Sequence, residues 1–303
     1  MKLALLLALA AASVADGAWP TEAVAEKVNV QPTADRFTWE CAHFQLRADA
    51  ALPLGVVRDL AMVLEATRAV LEAVPLGLHS GGERDRYPVR LFSTTESYTA
   101  GGGAVGTGGF FNGREMLILL PNLGIKAGAN GLTTEHLRQL FIVKHEVTHQ
   151  LLQRWSAAFP VWLDEGFAEC VASWPYTPGR YTLRNLDAAM LDYLGKWSRA
   201  PDRRKLTLIP PSQLMALTRD AWREQVAAQA AYDHYNSAAL LTHYFLRHDD
   251  RGDGAHLADY FDALRRGTPQ ATAEAQHLLR GRAREQLDAE IQKLARRMAL
   301  EVR

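Results

Sequence analysis

Apolar residues recur at helical spacing from Pro53 to Val74, at Val56, Leu60, Val63, Leu64, Val70, Leu71 and Val74. That pattern predicts one long amphipathic helix, stopped by Pro75 and Gly77. On either side of it the period shortens. Phe37 to Arg47 is rich in aromatic and β-branched residues and partly alternates, which predicts a strand, and Pro88 to Phe92 predicts a second. The run from Gly101 to Gly109 is too glycine-dense for regular structure and reads as a loop. A hairpin should follow, with Phe110-Phe111 before the favoured two-residue turn Asn112-Gly113 and the apolar strand Met116 to Leu120 after it.

Helical spacing returns from Thr134 to Trp155, with Thr133 or Thr134 as its N-cap, and again from Val161 to Ser173 behind Pro160. From Tyr181 to Arg303 the chain is mostly amphipathic helix, broken near Pro201, Pro210-Pro211, Gly252 to Gly254 and Gly267 to Pro269. Strands come first and helices afterwards, so the expected class is α+β. A small mixed or antiparallel sheet is followed by a helix pair and a mostly helical C-terminal part. The expected divisions are 1–18 as a leader, 36–175 as an α/β subdomain and 176–303 as a helical subdomain completing a cleft.

Composition narrows the setting. The chain has 303 residues, and its 34 Lys+Arg balance 34 Asp+Glu, which removes a broad electrostatic case for nucleic acid or an anionic membrane. Met1-Lys2 and the apolar run Leu3 to Ala15 have the form of a secretory signal peptide, with small residues for cleavage after Ala15 or Ala18. The run is shorter than the ~20 residues a spanning helix needs, so the mature chain is expected to be exported, periplasmic or secreted, with no stable membrane span. Cys41 and Cys170 allow either one disulfide or two buried thiols.

His145-Glu146-Val147-Thr148-His149 changes the picture most. Residues four apart share a helix face, so both imidazoles can reach one metal ion, and Glu146, one step round, can take a proton from water. Leu137, Phe141, His145, His149 and Leu152 form one stripe, which turns the histidines inward. This composition yields roughly 0.02 such patterns by chance in a chain of this length. Downstream, Glu165 and Glu169 lie four apart among Val161, Trp162, Leu163, Phe167 and Ala168. Glu165 is assigned as the third ligand. Glu169 is assigned as an acceptor holding a ligating histidine by its other ring nitrogen. Asp164 and Glu169 remain alternatives as ligand.

HEVTH followed by PVWLDEGFAE resembles the gluzincin metallopeptidases, closest to the bacterial peptidase MA-like families, whose motif runs HE-x-x-H and then W-L-x-E-G-x-A. The resemblance implies one Zn2+ per chain on His145, His149 and Glu165, and Glu146 as general base. Only 15 residues separate His149 from Glu165, a shorter connection than in thermolysin-like members. It further implies an edge strand that pairs with the substrate backbone, here at Gly108, Gly109, Phe110 and Phe111. It implies, too, an oxyanion donor from the helical part. Alignment on Ser237 puts His234 at that position, with Tyr235 one step away. The other histidines show no metal-ligand spacing. The expected function is an exported zinc metallopeptidase that hydrolyses a peptide or protein substrate. The alternative is a catalytically silent zinc-containing binding or assembly module on the same fold.

Overall fold

The segment expected to form one strand, Phe37 to Arg47, folds as two. In the structure, a computed structural model, residues 19–25, 27–78, 86–128, 131–133, 137–196, 205–227, 231–250 and 252–302 are described. Strands β1 (Glu22–Val24) and β2 (Gln31–Pro32) lead into an antiparallel pair, β3 (Thr38–Glu40) and β4 (Phe44–Ala48). The turn between β3 and β4 contains neither Gly nor Pro, so the pattern hid it. It is held instead by Glu65 on helix α1 (Leu54–Ala73). The buried Glu65 carboxylate accepts from the His43 backbone N–H at 2.8 Å and lies 2.7 Å from His43 Nδ1.

After α1 come β5 (Tyr87–Phe92), α2 (Thr95–Ala100), β6 (Gly109–Phe111) and β7 (Met116–Leu119). Helix α2 has no apolar stripe to announce it. Its start is fixed by Thr94, whose hydroxyl accepts from the Ser97 backbone N–H at 3.1 Å. The β6–β7 hairpin turns one residue later than expected. Asn112 N–H donates to Glu115 O at 3.2 Å, so Gly113 and Arg114 are the two central residues. Gly113 takes φ 85° at the first of them, a position that favours glycine. The Asn112 side chain is the cause, because its Oδ1 accepts from both Arg114 N–H and Glu115 N–H.

These strands form a six-stranded mixed sheet in the order β2-β3-β4-β5-β7-β6. The pairs β4–β5 and β5–β7 are parallel, the others antiparallel, and β6 ends the sheet. A small hairpin, β8 (Lys126–Gly128) and β9 (Gly131–Thr133), precedes α3 (Leu140–Leu151), α4 (Gln153–Ser156) and α5 (Val161–Ser173). Helix α3 begins later than expected. Thr133 belongs to β9, Thr134 lies outside the described residues, and Gln139 enters the helix from a left-handed conformation at φ 49°.

The remainder is mostly helical. It runs through β10 (Tyr176–Thr177), β11 (Arg180–Thr182), α6 (Leu186–Lys196), β12 (Lys205–Leu206), α7 (Pro211–Leu214), α8 (Arg219–Gln225) and α9 (Ala231–Arg247). There follow α10 (Ala255–Arg265), α11 (Gln270–Ala273), a π-helical turn (Glu274–Leu279), α12 (Arg284–Arg297) and β13 (Glu301–Val302). The class is α+β, with the small sheet first and the helical part last. One apolar cluster takes in residues from Ala23 to Leu300, and α5 packs against α9 across the expected division at 175/176. The two parts therefore share a core.

The expected leader, 1–18, and the break near Pro201 lie outside the described residues. No helix among the described residues is long and apolar enough to cross a membrane. Of the two possibilities for the cysteines, the structure has free thiols, both buried.

Candidate metal centre

Helix α3 supplies His145, Glu146 and His149, and α5 supplies Asp164, Glu165 and Glu169. Two close contacts set these helices. At one end, the Lys144 amine reaches from α3 to the last carbonyls of α5, donating to Ala172 O at 2.6 Å and Trp174 O at 2.7 Å. Those carbonyls have no partner within their own helix, and the amine satisfies them even though burial, and then the charge of Lys196, pull its pKa down to about 7. Behind the ligands, α5 lies so close to α9 that a Cβ on Gly166 would sit 2.3 Å from both Ala238 O and Thr242 Oγ1. The glycine after Glu165 is what lets the ligand helix seat at that depth.

The Nε2 atoms of His145 and His149 are 3.1 Å apart, and they lie 3.4 and 3.5 Å from Glu165 Oε2. A tetrahedral ion with bonds of about 2.1 Å separates its ligand atoms by about 3.4 Å. The three atoms therefore fit one ion, and two nitrogens with one oxygen suit a borderline transition metal. Each outer ring nitrogen is also occupied. His145 Nδ1 is 3.1 Å from Glu169 Oε1, and the Tyr193 hydroxyl donates to the other Glu169 oxygen. His149 Nδ1 is 3.4 Å from Asp164 Oδ1, while Arg219 Nη1 donates to Asp164 Oδ2 at 2.9 Å and Nη2 to Phe159 O at 3.1 Å. Both rings are thus fixed in rotation with Nε2 aimed inward.

Without an ion these groups share protons. Burial lowers the His145 pKa, but Glu169 and Glu165 outweigh it and raise it to about 10. His149 is raised well above its ordinary value, with Glu165 and Asp164 overcoming burial. Glu165 is held well below the carboxylate range, because the two imidazoles outweigh its desolvation. Glu146 is pushed up by burial, opposed by His145 and His149, and accepts from the backbone of Phe111.

Beside the centre is a cleft of about 270 Å³ whose lining includes Gly108, Gly109, His145, Glu146, Tyr193 and Tyr235. A Cβ on Gly109 would come within 2.7 Å of Glu146 Cγ and of Ile142 Cγ2, and one on Gly108 within 2.2 Å of Asn122 Nδ2. The glycines are thus required by the chain's own neighbours, and they bring the edge strand against α3. Phe110 projects from that edge, 36% exposed.

The two oxyanion candidates part company. Tyr235 lines the cleft with its ring 6.3 Å from that of His145. The negative charge of Glu165, then burial, then Glu169 and Glu146 raise its pKa, so the phenol keeps its proton. His234, at the position favoured from Ser237, points elsewhere. It is buried, its Nε2 lies 2.7 Å from Gln225 Oε1, and its ring packs edge-on against Trp222. Ser237 bonds Asp233 O and the Ile209 N–H, so it serves packing rather than the cleft.

A second cluster, Asp187, His243 and His248, also gathers three candidate ligand atoms. Its spacing differs. Asp187 Oδ1 lies 2.8 Å from His243 Nε2 and 2.9 Å from His248 Nε2, which are hydrogen-bond lengths rather than ligand separations. Arg297 Nη2 approaches His248 Nδ1 at 3.5 Å, leaving the proton on Nε2 to donate to Asp187. This is a hydrogen-bonded triad. Sequence reasoning missed it, and it missed Arg219, Tyr193 and Trp222 around the candidate centre, while Asp164, offered there as an alternative ligand, proves instead to face His149 Nδ1. The missed residues are all joined by contacts between distant segments, with no local spacing to reveal them. Of the remaining histidines, His43 pairs with Glu65 and His256 with Asp249 and Asp250, while His79 and His136 lie outside the described residues.

No protein-family model matches the chain, and no curated protein matches it either.

Proposed function

We propose that this chain is an exported zinc metallopeptidase. The carrying observation is the convergence of two Nε2 atoms and one carboxylate oxygen at ligand spacing, beside a cleft lined by both His145 and Glu146. Zinc held by His145, His149 and Glu165 would supply Lewis acidity, polarising a carbonyl oxygen and acidifying water. Glu146, fixed at the cleft wall by its backbone contact with Phe111, would serve there as the proton acceptor. Strand β6, at the end of the sheet, offers its backbone to an extended peptide, and the Tyr235 hydroxyl donates to the developing oxyanion. Glu169 and Asp164 hold the ligand rings.

The test is elemental analysis of protein prepared without a histidine tag, joined to a chelator-sensitive peptide-cleavage screen. One zinc per chain with cleavage lost in Glu146→Gln, metal retained, is the expected result. One zinc with no cleavage by the wild type would favour the silent binding module. No zinc, and none taken up on addition, would remove both.

A further inference from the structure

A second cavity, of about 480 Å³, lies among the start of α3, the end of α5 and helix α6, and its lining includes Leu140, Lys144, Trp174, Tyr176 and Lys196. Among the described residues, Phe141 and Tyr193 alone line both this cavity and the cleft beside the candidate metal centre. Their rings stand edge-on, with centroids 6.2 Å apart and planes at 75°. The two cavities therefore meet at one pair of rings, and that pair is the wall between them.

The two halves of the wall are held differently. The Tyr193 hydroxyl donates to Glu169, whose other oxygen lies 3.1 Å from His145 Nδ1. Tyr193 cannot turn aside without releasing the carboxylate that fixes a candidate ligand. Phe141 carries no polar group and lies one helical turn before His145, on the same face of α3. Its size can change while Glu169 keeps its hold. The side chain at 141 thus sets where the cleft ends.

The two chambers also differ in chemistry. On the near side, Phe141, Ile142, Tyr193, Tyr232 and Tyr235 surround the carboxylates of Glu146 and Glu169, which favours an uncharged, apolar occupant over an acidic one. Beyond the wall stand the Lys144 amine and the Lys196–Asp192 ion pair. We propose that Phe141 is a specificity-determining residue: its ring, backed by Tyr193, closes the pocket for an apolar substrate side chain beside the cleaved bond and limits the size admitted there. The cleavage rests on the peptidase reading above. The partition does not.

The experiment uses the full zinc-loaded chain and peptides in which each residue flanking the cleaved bond is in turn leucine or tryptophan. At one of those positions, Phe141→Ala should raise kcat/KM for tryptophan relative to leucine about tenfold or more, since a single methylene in such a pocket already carries about 10–200-fold. Phe141→Leu should move the ratio the same way by less, and Phe141→Trp the opposite way. All three should keep one zinc per chain. Tyr193→Phe retains the ring and should retain the ratio, while metal affinity falls as Glu169 loses its donor. A ratio that ignores residue 141 in the variants that fold, one that moves equally in Tyr193→Phe, or zinc lost from the Phe141 variants would overturn the proposal.

A second readout needs no turnover. In the zinc-loaded Glu146→Gln chain, saturation-transfer NMR compares binding of N-acetyl-tryptophanamide with that of N-acetyl-leucinamide. Adding Phe141→Ala should shift the affinity ratio toward tryptophan, and an unmoved ratio overturns the partition. A wild type that cleaves no peptide would instead fail the peptidase reading, and the binding ratio would still decide the role of Phe141.

Discussion

Asp164 and Glu165 are neighbours in the chain that address opposite nitrogens of His149, Asp164 Oδ1 at 3.4 Å from Nδ1 and Glu165 Oε2 at 3.5 Å from Nε2. Successive residues on a helix point about 100° apart, and the imidazole lies between the two directions. One acid is placed to bind the ion while the other fixes the ring that binds beside it. Arg219 completes the arrangement by holding the outer oxygen of Asp164. Asp164→Asn should therefore weaken metal binding about 10–100-fold without unfolding the chain. Competition against a chromophoric chelator measures this, and an unchanged affinity would remove Asp164 from the support of His149.

Gly166→Ala tests the depth of α5. The added Cβ meets the Ala238 carbonyl, which is backbone and cannot swing aside. Overpacking of this kind costs about 1–3 kcal/mol. Urea unfolding should show that loss together with a lower metal affinity, because the displaced helix carries Glu165. Wild-type stability would mean that α5 and α9 have slack between them.

Metal uptake should release protons. The His145 pKa is raised to about 10 and that of His149 is raised as well, so the pair carries at least one extra proton in the metal-free protein at neutral pH, and only the neutral rings ligate. Affinity should climb as pH rises from 6 toward 10. Titration calorimetry in buffers of different ionisation enthalpy should report net proton release near pH 7. Heats that ignore the buffer would contradict protonated ligand rings.

The Asp187 triad predicts acid sensitivity remote from the metal. Hydrogen bonding from His243, against an opposing burial effect, and then the charge of His248 depress the Asp187 pKa, while burial depresses that of His248 despite Asp187. Both are folded-state values lower than in the unfolded chain. The stability they contribute is present above about pH 6.5 for His248 and about pH 4 for Asp187, and falls away as pH drops through each folded value. Asp187→Asn should flatten the part of that acid loss that falls below about pH 4 in thermal melts, while leaving or deepening the part that belongs to His248. His248→Ala should leave metal content at one ion per chain, as a hydrogen-bonded triad requires.

Much of the metal centre was legible because its spacing is local. His145 and His149 lie one helical turn apart, and Glu165 sits on the next long helix among residues plainly meant for a core. What surrounds the ligands was not legible. Arg219 is 55 residues from Asp164, Tyr193 is 24 from Glu169, and nothing in either segment marks the pairing. The choice between His234 and Tyr235 turned on alignment through Ser237, a residue that bonds backbone of its own helix and of Ile209. One step along a helix changes the facing direction by about 100°, enough to exchange the cleft for the Gln225 side. In the fold, the α1 pattern translated directly. The β3–β4 turn did not, because a buried glutamate took the place of turn-forming residues.

The grip of Lys144 on the final carbonyls of α5 has a consequence for which ions the site admits. With α3 and α5 fastened there and α5 seated against α9, the three inward atoms hold their spacing before any ion arrives. An ion that demands six oxygens in an octahedron finds two nitrogens and one oxygen at fixed corners of a smaller figure and gains little. Magnesium and calcium, which prefer cages of oxygens, suit such a corner set poorly in shape as well as in donor type. An amine outside the three candidate ligands thereby bears on which ions the site can suit.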